Sequence, residues 1–124
     1  MKQIVILGGG TGGTLTANRL RKEHPADEVA ITVVDQDDRH LYQPGLLFVP
    51  FGMADPDEIS RSRGRQLHDG IDYVVSPIDR VDLEANQVHL ADSVLATTVT
   101  YLADAQATAC TLDGVGISFA LAKA

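Results

Sequence analysis

The sequence predicts an α/β protein organised around a parallel sheet. Two apolar, β-branched runs carry that prediction: Ile4-Val5-Ile6-Leu7 and Val29-Ala30-Ile31-Thr32-Val33-Val34, with a helix-compatible segment between them. The third observation is the glycine cluster Gly8-Gly9-Gly10-Thr11-Gly12-Gly13 that ends the first run. Strand, tight turn, helix and strand in this order form a crossover unit, which makes the two strands parallel neighbours.

The glycines are spaced for more than a turn. Gly8, Gly10 and Gly13 fall at G-x-G-x-x-G spacing, with Thr11 and Gly12 among them. Gly8 permits the tight turn, Gly10 lets main-chain N–H groups approach a pyrophosphate, and Gly13 lets the helix pack close to the strand. Asp35 follows the second strand directly, roughly 20 positions beyond Gly13, where such a fingerprint places the acid that accepts hydrogen bonds from an adenosine ribose. A 2′-phosphate there would meet like charge, reinforced by Asp37 and Asp38. The plain alternative is an ordinary strand–turn–helix with tolerant glycines.

The remaining elements follow from local signals. A helix over 14–23 presents Leu15, Ala17 and Leu20 as its apolar face and stops at Pro25. A second helix is expected over 55–67, with Asp55 as N-cap, Pro56 at the first position, and Asp57 and Glu58 in the first turn. Residues 71–75 read as a short strand, and 78–83 with 87–90 as a hairpin turning at Glu84-Ala85-Asn86. The segment 41–52 is unusually apolar for a connection and is bracketed by prolines and glycines.

Composition bounds the function. A chain of 124 residues makes at most one domain, and 44% hydrophobic with 22% charged residues is a globular composition. A net charge of −7 without a basic stripe argues against a nucleic-acid surface. Arg61, Arg63 and Arg65 are expected on a solvated loop or helix face. One cysteine, Cys110, gives neither an intrachain disulfide nor a Cys-rich metal site, and no metal site is expected. No apolar run reaches the roughly 18 residues of a transmembrane helix, and the chain opens on its first strand rather than a signal peptide. A cytoplasmic setting is the expectation.

Residues 5–13, 31–35 and above all His40-Leu41-Tyr42-Gln43-Pro44-Gly45-Leu46-Leu47-Phe48-Val49-Pro50-Phe51-Gly52 resemble the N-terminal FAD-binding portion of sulfide:quinone oxidoreductases. These are flavoproteins of the pyridine nucleotide-disulfide reductase superfamily. Type II NADH dehydrogenases look similar over the same span, but usually carry Phe and Pro-Leu-Leu where this chain has Tyr42 and Pro44-Gly45-Leu46. The resemblance implies a Rossmann-type FAD/NAD(P)-binding domain, a parallel sheet with a small β-hairpin or meander. It implies that Gly8, Gly10, Thr11, Gly12 and Gly13 hold the FAD pyrophosphate and that Asp35 binds the ribose. It further implies that Ile78 reads the adenine through its main chain and that Pro44 lies near the flavin. Ile78 as a core strand residue and Pro44 as a rigid turn remain open, as does His40, either an acid–base group or an orienting residue of its loop.

The resemblance covers residues 1–92 and weakens over 93–124. Family members continue with Tyr-Asp-x-Leu-Val-x-Ala-Thr-Gly; here Tyr101 and Ala107-Thr108-Ala109 keep that spacing, but Asp104 and Gln106 enter the strand and Ala109 replaces the glycine. Polar residues are costly in a strand buried on both faces. The fold is thus expected to be incomplete relative to the family, from a truncated, altered or partial sequence. Sulfide oxidation in the family uses a cysteine pair, so Cys110 is read as a buried or incidental thiol, no catalytic residue is assigned, and this chain alone is expected to be inactive. The functional expectation is an FAD-binding fragment of a flavoprotein that passes electrons from sulfide through FAD to a quinone, peripheral to the inner membrane face in full-length relatives. NADH as donor, or a non-catalytic nucleotide-binding module, are the alternatives. Apolar surface left by a small sheet is expected to favour self-association.

Overall fold

In the computed structural model, which describes residues 1–97 and 99–102, the strands β1 (Lys2–Leu7) and β2 (Val29–Asp35) are parallel neighbours, with Leu7 opposite Val34. The helix α1 (Thr11–Glu23) connects them. The chain then makes a two-stranded antiparallel ribbon, β3 (Arg39–Leu41) with β4 (Ser60–Ser62), before returning to the sheet as β5 (Ile71–Val75). An antiparallel meander follows, β6 (Ile78–Asp82), β7 (Gln87–Leu90) and β8 (Val94–Ala96). The strand β9 (Val99–Leu102) pairs with the free side of β1. The main sheet has the order β5-β2-β1-β9, parallel throughout. This is the expected α/β Rossmann-type architecture, and β8 extends the expected β6–β7 hairpin into a meander.

The period-two alternation of β1 explains the layers. Ile6 faces α1 and joins Ala17, Val29, Ile31 and Val33 in one core cluster. Val5 and Leu7 face the other way and join Val34 with Val81, Val88 and Leu90 of the meander. Each of the Val, Leu and Ile side chains among these contributes roughly 1.5–3 kcal/mol on full burial, and both faces of the central strands are covered. The sheet face opposite α1 is closed by β6, β7 and β8. Exposed apolar side chains cluster in the segment after β3, where Leu47, Phe51 and Met53 are each more than 70% exposed.

Two other expectations are corrected. The helix expected over 55–67 does not form. Its start signals produce only a turn, in which Glu58 N donates to the Asp55 carbonyl at 3.1 Å and the Glu58 carboxylate accepts from Asp55 N at 3.1 Å. Beyond it, Ser60-Arg61-Ser62 offers no apolar stripe at helical spacing, and Ile59 is the buried anchor before the chain pairs with β3. Leu15 is 65% exposed rather than part of the helix core. The buried face is Gly13, Thr14 and Ala17, and Leu15 sits about 200° around the axis from Gly13.

The resemblance-based doubts about Asp104, Gln106, Ala109 and Cys110 fall on positions outside the described residues.

Candidate functional site

The site forms where β1 and β2 end side by side. Gly8 N donates to the Val34 carbonyl at 2.8 Å, and Gly8 then turns the chain with φ of +101°, a conformation that excludes ordinary side chains. Gly13 returns against that turn: a Cβ there would collide with the Gly8 carbonyl oxygen. Gly10 is the N-cap of α1, and no side chain caps the helix. The first turn also carries no acidic residue. Its main-chain N–H groups and the positive end of the helix dipole thus face outward without a side-chain acceptor, the arrangement that suits an anion. Thr11 and Gly12 are exposed on this turn, while Thr14 braces it by donating from Oγ1 to the Gly9 carbonyl at 3.1 Å.

Asp35 ends β2 with its side chain only 8% exposed. Its Oδ2 accepts from Gly9 N at 2.6 Å and its Oδ1 from Gln36 N at 2.7 Å. These two bonds fix the carboxylate beside the glycine turn. Gly8, Gly10, Thr11, Gly12, Gly13 and Asp35 are therefore brought together at the carboxyl edge of the sheet.

Arg63 also belongs to this cluster, and the sequence reading placed it in solvent. Its Nη1 donates to Asp35 Oδ2, its Nε donates to the Arg39 carbonyl at 2.8 Å, and its Nη2 lies 3.8 Å from Asp37 Oδ1. The side chain is 17% exposed. Arg61 and Arg65 do face solvent. The ribbon explains the difference: the pairing of Arg39 with Ser62 delivers the residue after β4 to the end of β2. No local signal in the sequence separates Arg61 from Arg63: strand alternation alone would put both on one side, and it is the turn after β4, with Arg63 in a helical conformation, that sends Arg63 towards Asp35.

Two neighbouring groups complete the electrostatics. Asp38 accepts from Ser62 Oγ at 2.6 Å and from Gly64 N at 2.9 Å, and these bonds hold its carboxyl below the usual 3.8. The Tyr73 hydroxyl donates to the Asp37 carbonyl at 2.6 Å; burial first, then the charge of Asp35, pushes it up to about 12. Gly9 lies between these side chains, its missing Cβ position 3.3 Å from Asp35 Oδ2 and 3.4 Å from both Arg63 Cδ and Tyr73 Cε2.

The other two sequence-derived positions are placed differently. Ile78 opens β6, and its side chain packs on the Val5, Leu7 and Val34 cluster. The turn before it is tied to the site, since Ser76 N donates to the Asp35 carbonyl at 2.8 Å. Pro44 is exposed in a 3-10 turn, Gln43–Leu47, held at the base by Tyr42 N donating to the Ile59 carbonyl at 2.8 Å. It lies off the Leu41–Ser60 end of the ribbon, whereas the Arg39–Ser62 end meets Asp35. His40 sits within β3, opposite Arg61.

The parallel sheet, the crossover helix and the glycine turn between them make this a Rossmann-type α/β unit, the fold of nucleotide-binding domains. The sequence model of the family "Pyridine nucleotide-disulphide oxidoreductase" matches residues 2–109, and the chain belongs to that family. It is 29% identical over 84 residues to the mitochondrial sulfide:quinone oxidoreductase of Mus musculus, covering 68% of this chain and 18% of that protein. It is 25% identical over 88 residues to a type II NADH:quinone oxidoreductase of Staphylococcus epidermidis, covering 70% and 22%. The solved structure of the sulfide:quinone oxidoreductase from Aquifex aeolicus superposes with a TM-score of 0.71 at 21% identity, over 82% of this chain and 24% of that one. The chain spans about a fifth of the length of the curated relatives it matches. Among the described residues, no helix is long and apolar enough to cross a membrane.

Proposed function

We propose that this chain supplies the first FAD-binding segment of a flavoprotein oxidoreductase that takes electrons from sulfide and passes them to a quinone. The observation that supports it is the glycine turn between β1 and α1, closed so tightly that no Cβ fits at Gly13, with an uncapped helix end on one side and Asp35 on the other. An adenine dinucleotide fits this cradle. The main-chain N–H groups from Gly10 to Gly13 hold the pyrophosphate with help from the helix dipole, and Asp35 accepts from the ribose. The main chain of Ile78 reads the adenine, and Pro44 lines the flavin end. Bound FAD would supply the two-electron acceptor; the residues of this chain bind and orient it. On this reading, the protein that carries this segment sits at the inner membrane face.

NADH as the electron donor is the second reading, favoured by the similarity to the Staphylococcus epidermidis enzyme. Titrating the chain with FAD and following the quenching of flavin fluorescence tests the binding segment. Saturable quenching, competed by ADP, is the expected result; flavin fluorescence unchanged by excess protein overturns the reading. Adding sulfide or NADH anaerobically to the FAD-loaded full-length protein that carries this segment, and watching which bleaches the flavin, separates the two donors. Steady turnover with quinone by this chain alone is expected to remain at the level of free flavin.

A further inference from the structure

We infer that Arg63 is the second half of the ribose subsite, donating to one ribose hydroxyl oxygen while Asp35 accepts from the other hydroxyl. The inference rests on the proposed assignment of Asp35 as the ribose acceptor. An ionised carboxylate has about four lone-pair sites. On Asp35 the fold has already filled three: Gly9 N–H and Arg63 on Oδ2, and Gln36 N–H on Oδ1. One site on Oδ1 is left for a hydroxyl proton, so a ribose diol needs a second partner.

Arg63 is that partner by position and chemistry. A guanidinium has five N–H donors and no acceptor. Its Nε is committed to the Arg39 carbonyl and one Nη1 proton to Asp35, while the Asp37 carboxylate at 3.8 Å from Nη2 is beyond hydrogen-bonding length. Donors therefore remain beside the carboxylate, where a hydroxyl oxygen can accept. The side chain is held in place from three directions and flanks Gly9, so its orientation is set before a ligand enters. Its charge also offsets Asp35, Asp37 and Asp38, three carboxylates that an anionic nucleotide would otherwise approach unscreened. A simple plug, displaced by the ribose, predicts the opposite response to its removal.

The test is calorimetric titration of the wild type, Arg63→Ala and Arg63→Met with ADP, 2′-deoxy-ADP and 3′-deoxy-ADP. Methionine keeps an aliphatic stem and removes every donor, so it serves if the alanine variant folds poorly; circular dichroism checks both. In the wild type each deoxy analogue is expected to bind about tenfold more weakly than ADP. In the variants ADP is expected to weaken about tenfold. The penalty for one deoxy analogue is expected to collapse to less than about twofold while the other persists, the signature of a lost pairwise contact. ADP binding that is unchanged or tighter in the variants overturns the inference in favour of a plug. Two deoxy penalties that both survive overturn it in favour of mere support for Asp35. A wild type that binds no ADP at all overturns the ribose-site assignment beneath it, a distinct result.

Discussion

Gly13 faces Gly8 across the β1–α1 turn so closely that an added Cβ would lie 3.0 Å from the Gly8 carbonyl carbon and overlap its oxygen. The contact is between two main chains, so neither partner can rotate away. Gly13→Ala is expected to destabilise the fold by roughly 1–3 kcal/mol, the usual cost of forcing atoms into a filled space. Urea unfolding checks this, with a lower midpoint and an unchanged slope expected. An unchanged midpoint would show that the helix can draw back from the turn.

Asp35 holds the edge of the sheet together as well as facing a ligand. Replacing it with Asn puts an amide donor among groups that are themselves donors: Gly9 N–H, Gln36 N–H and the Arg63 guanidinium. The expected loss is about 2–4 kcal/mol, since a nearly buried ion pair is broken and its donors are left short of an acceptor. Thermal or urea unfolding measures it. A loss under about 0.5 kcal/mol would mean that the carboxylate is more solvated than its surroundings indicate.

What was legible in the sequence is what local chemistry dictates. The β-branched runs marked β1 and β2 as neighbours, and glycine spacing with Asp35 marked the turn and the carboxylate that the fold brings together, because those signals act within one crossover unit. The ribbon was not legible. Asp55, Pro56, Asp57 and Glu58 form a genuine helix start, but the residues after Ile59 gain more by pairing with β3 than by continuing a helix with no apolar face. Arg63 was lost with it, because the 28-position separation from Asp35 is closed only by that pairing. The third layer was half visible: the hairpin showed in the alternation around Glu84-Ala85-Asn86, but its docking on Val5 and Leu7 is tertiary and has no local signature.

Tyr73 gives the site a high-pH dependence. Its hydroxyl ionises at about 12 in the fold against 10.0 ordinarily, because burial and the charge of Asp35 disfavour the phenolate. A raised value means that the folded state keeps a proton that the unfolded chain releases. The stabilisation is therefore complete below pH 10 and is lost as pH rises towards 12. Unfolding midpoints across this interval are expected to fall, and Tyr73→Phe should flatten that fall. Equal slopes in both proteins would place the titrating group elsewhere.

Leu47 and Phe51 contribute surface rather than core, at 72% and 78% exposure. Leu47→Ser and Phe51→Ser are expected to shift stability by less than about 0.5 kcal/mol. Sedimentation of the double variant is expected to show less self-association than the wild type, since these side chains belong to the exposed apolar segment. A large stability loss would mean that the segment packs against the rest of the protein in solution.

If the β1–α1 turn and Asp35 together bind an adenine nucleotide, amide chemical-shift mapping with ADP will register it at the main-chain groups themselves. The largest movements are expected at Gly9, Gly10, Thr11, Gly12, Gly13 and Gln36, with small ones in the β6–β8 meander beyond Ile78, and all are expected to disappear in Asp35→Asn. Shifts absent from the glycine turn, or concentrated on the exposed residues 46–53, would contradict it.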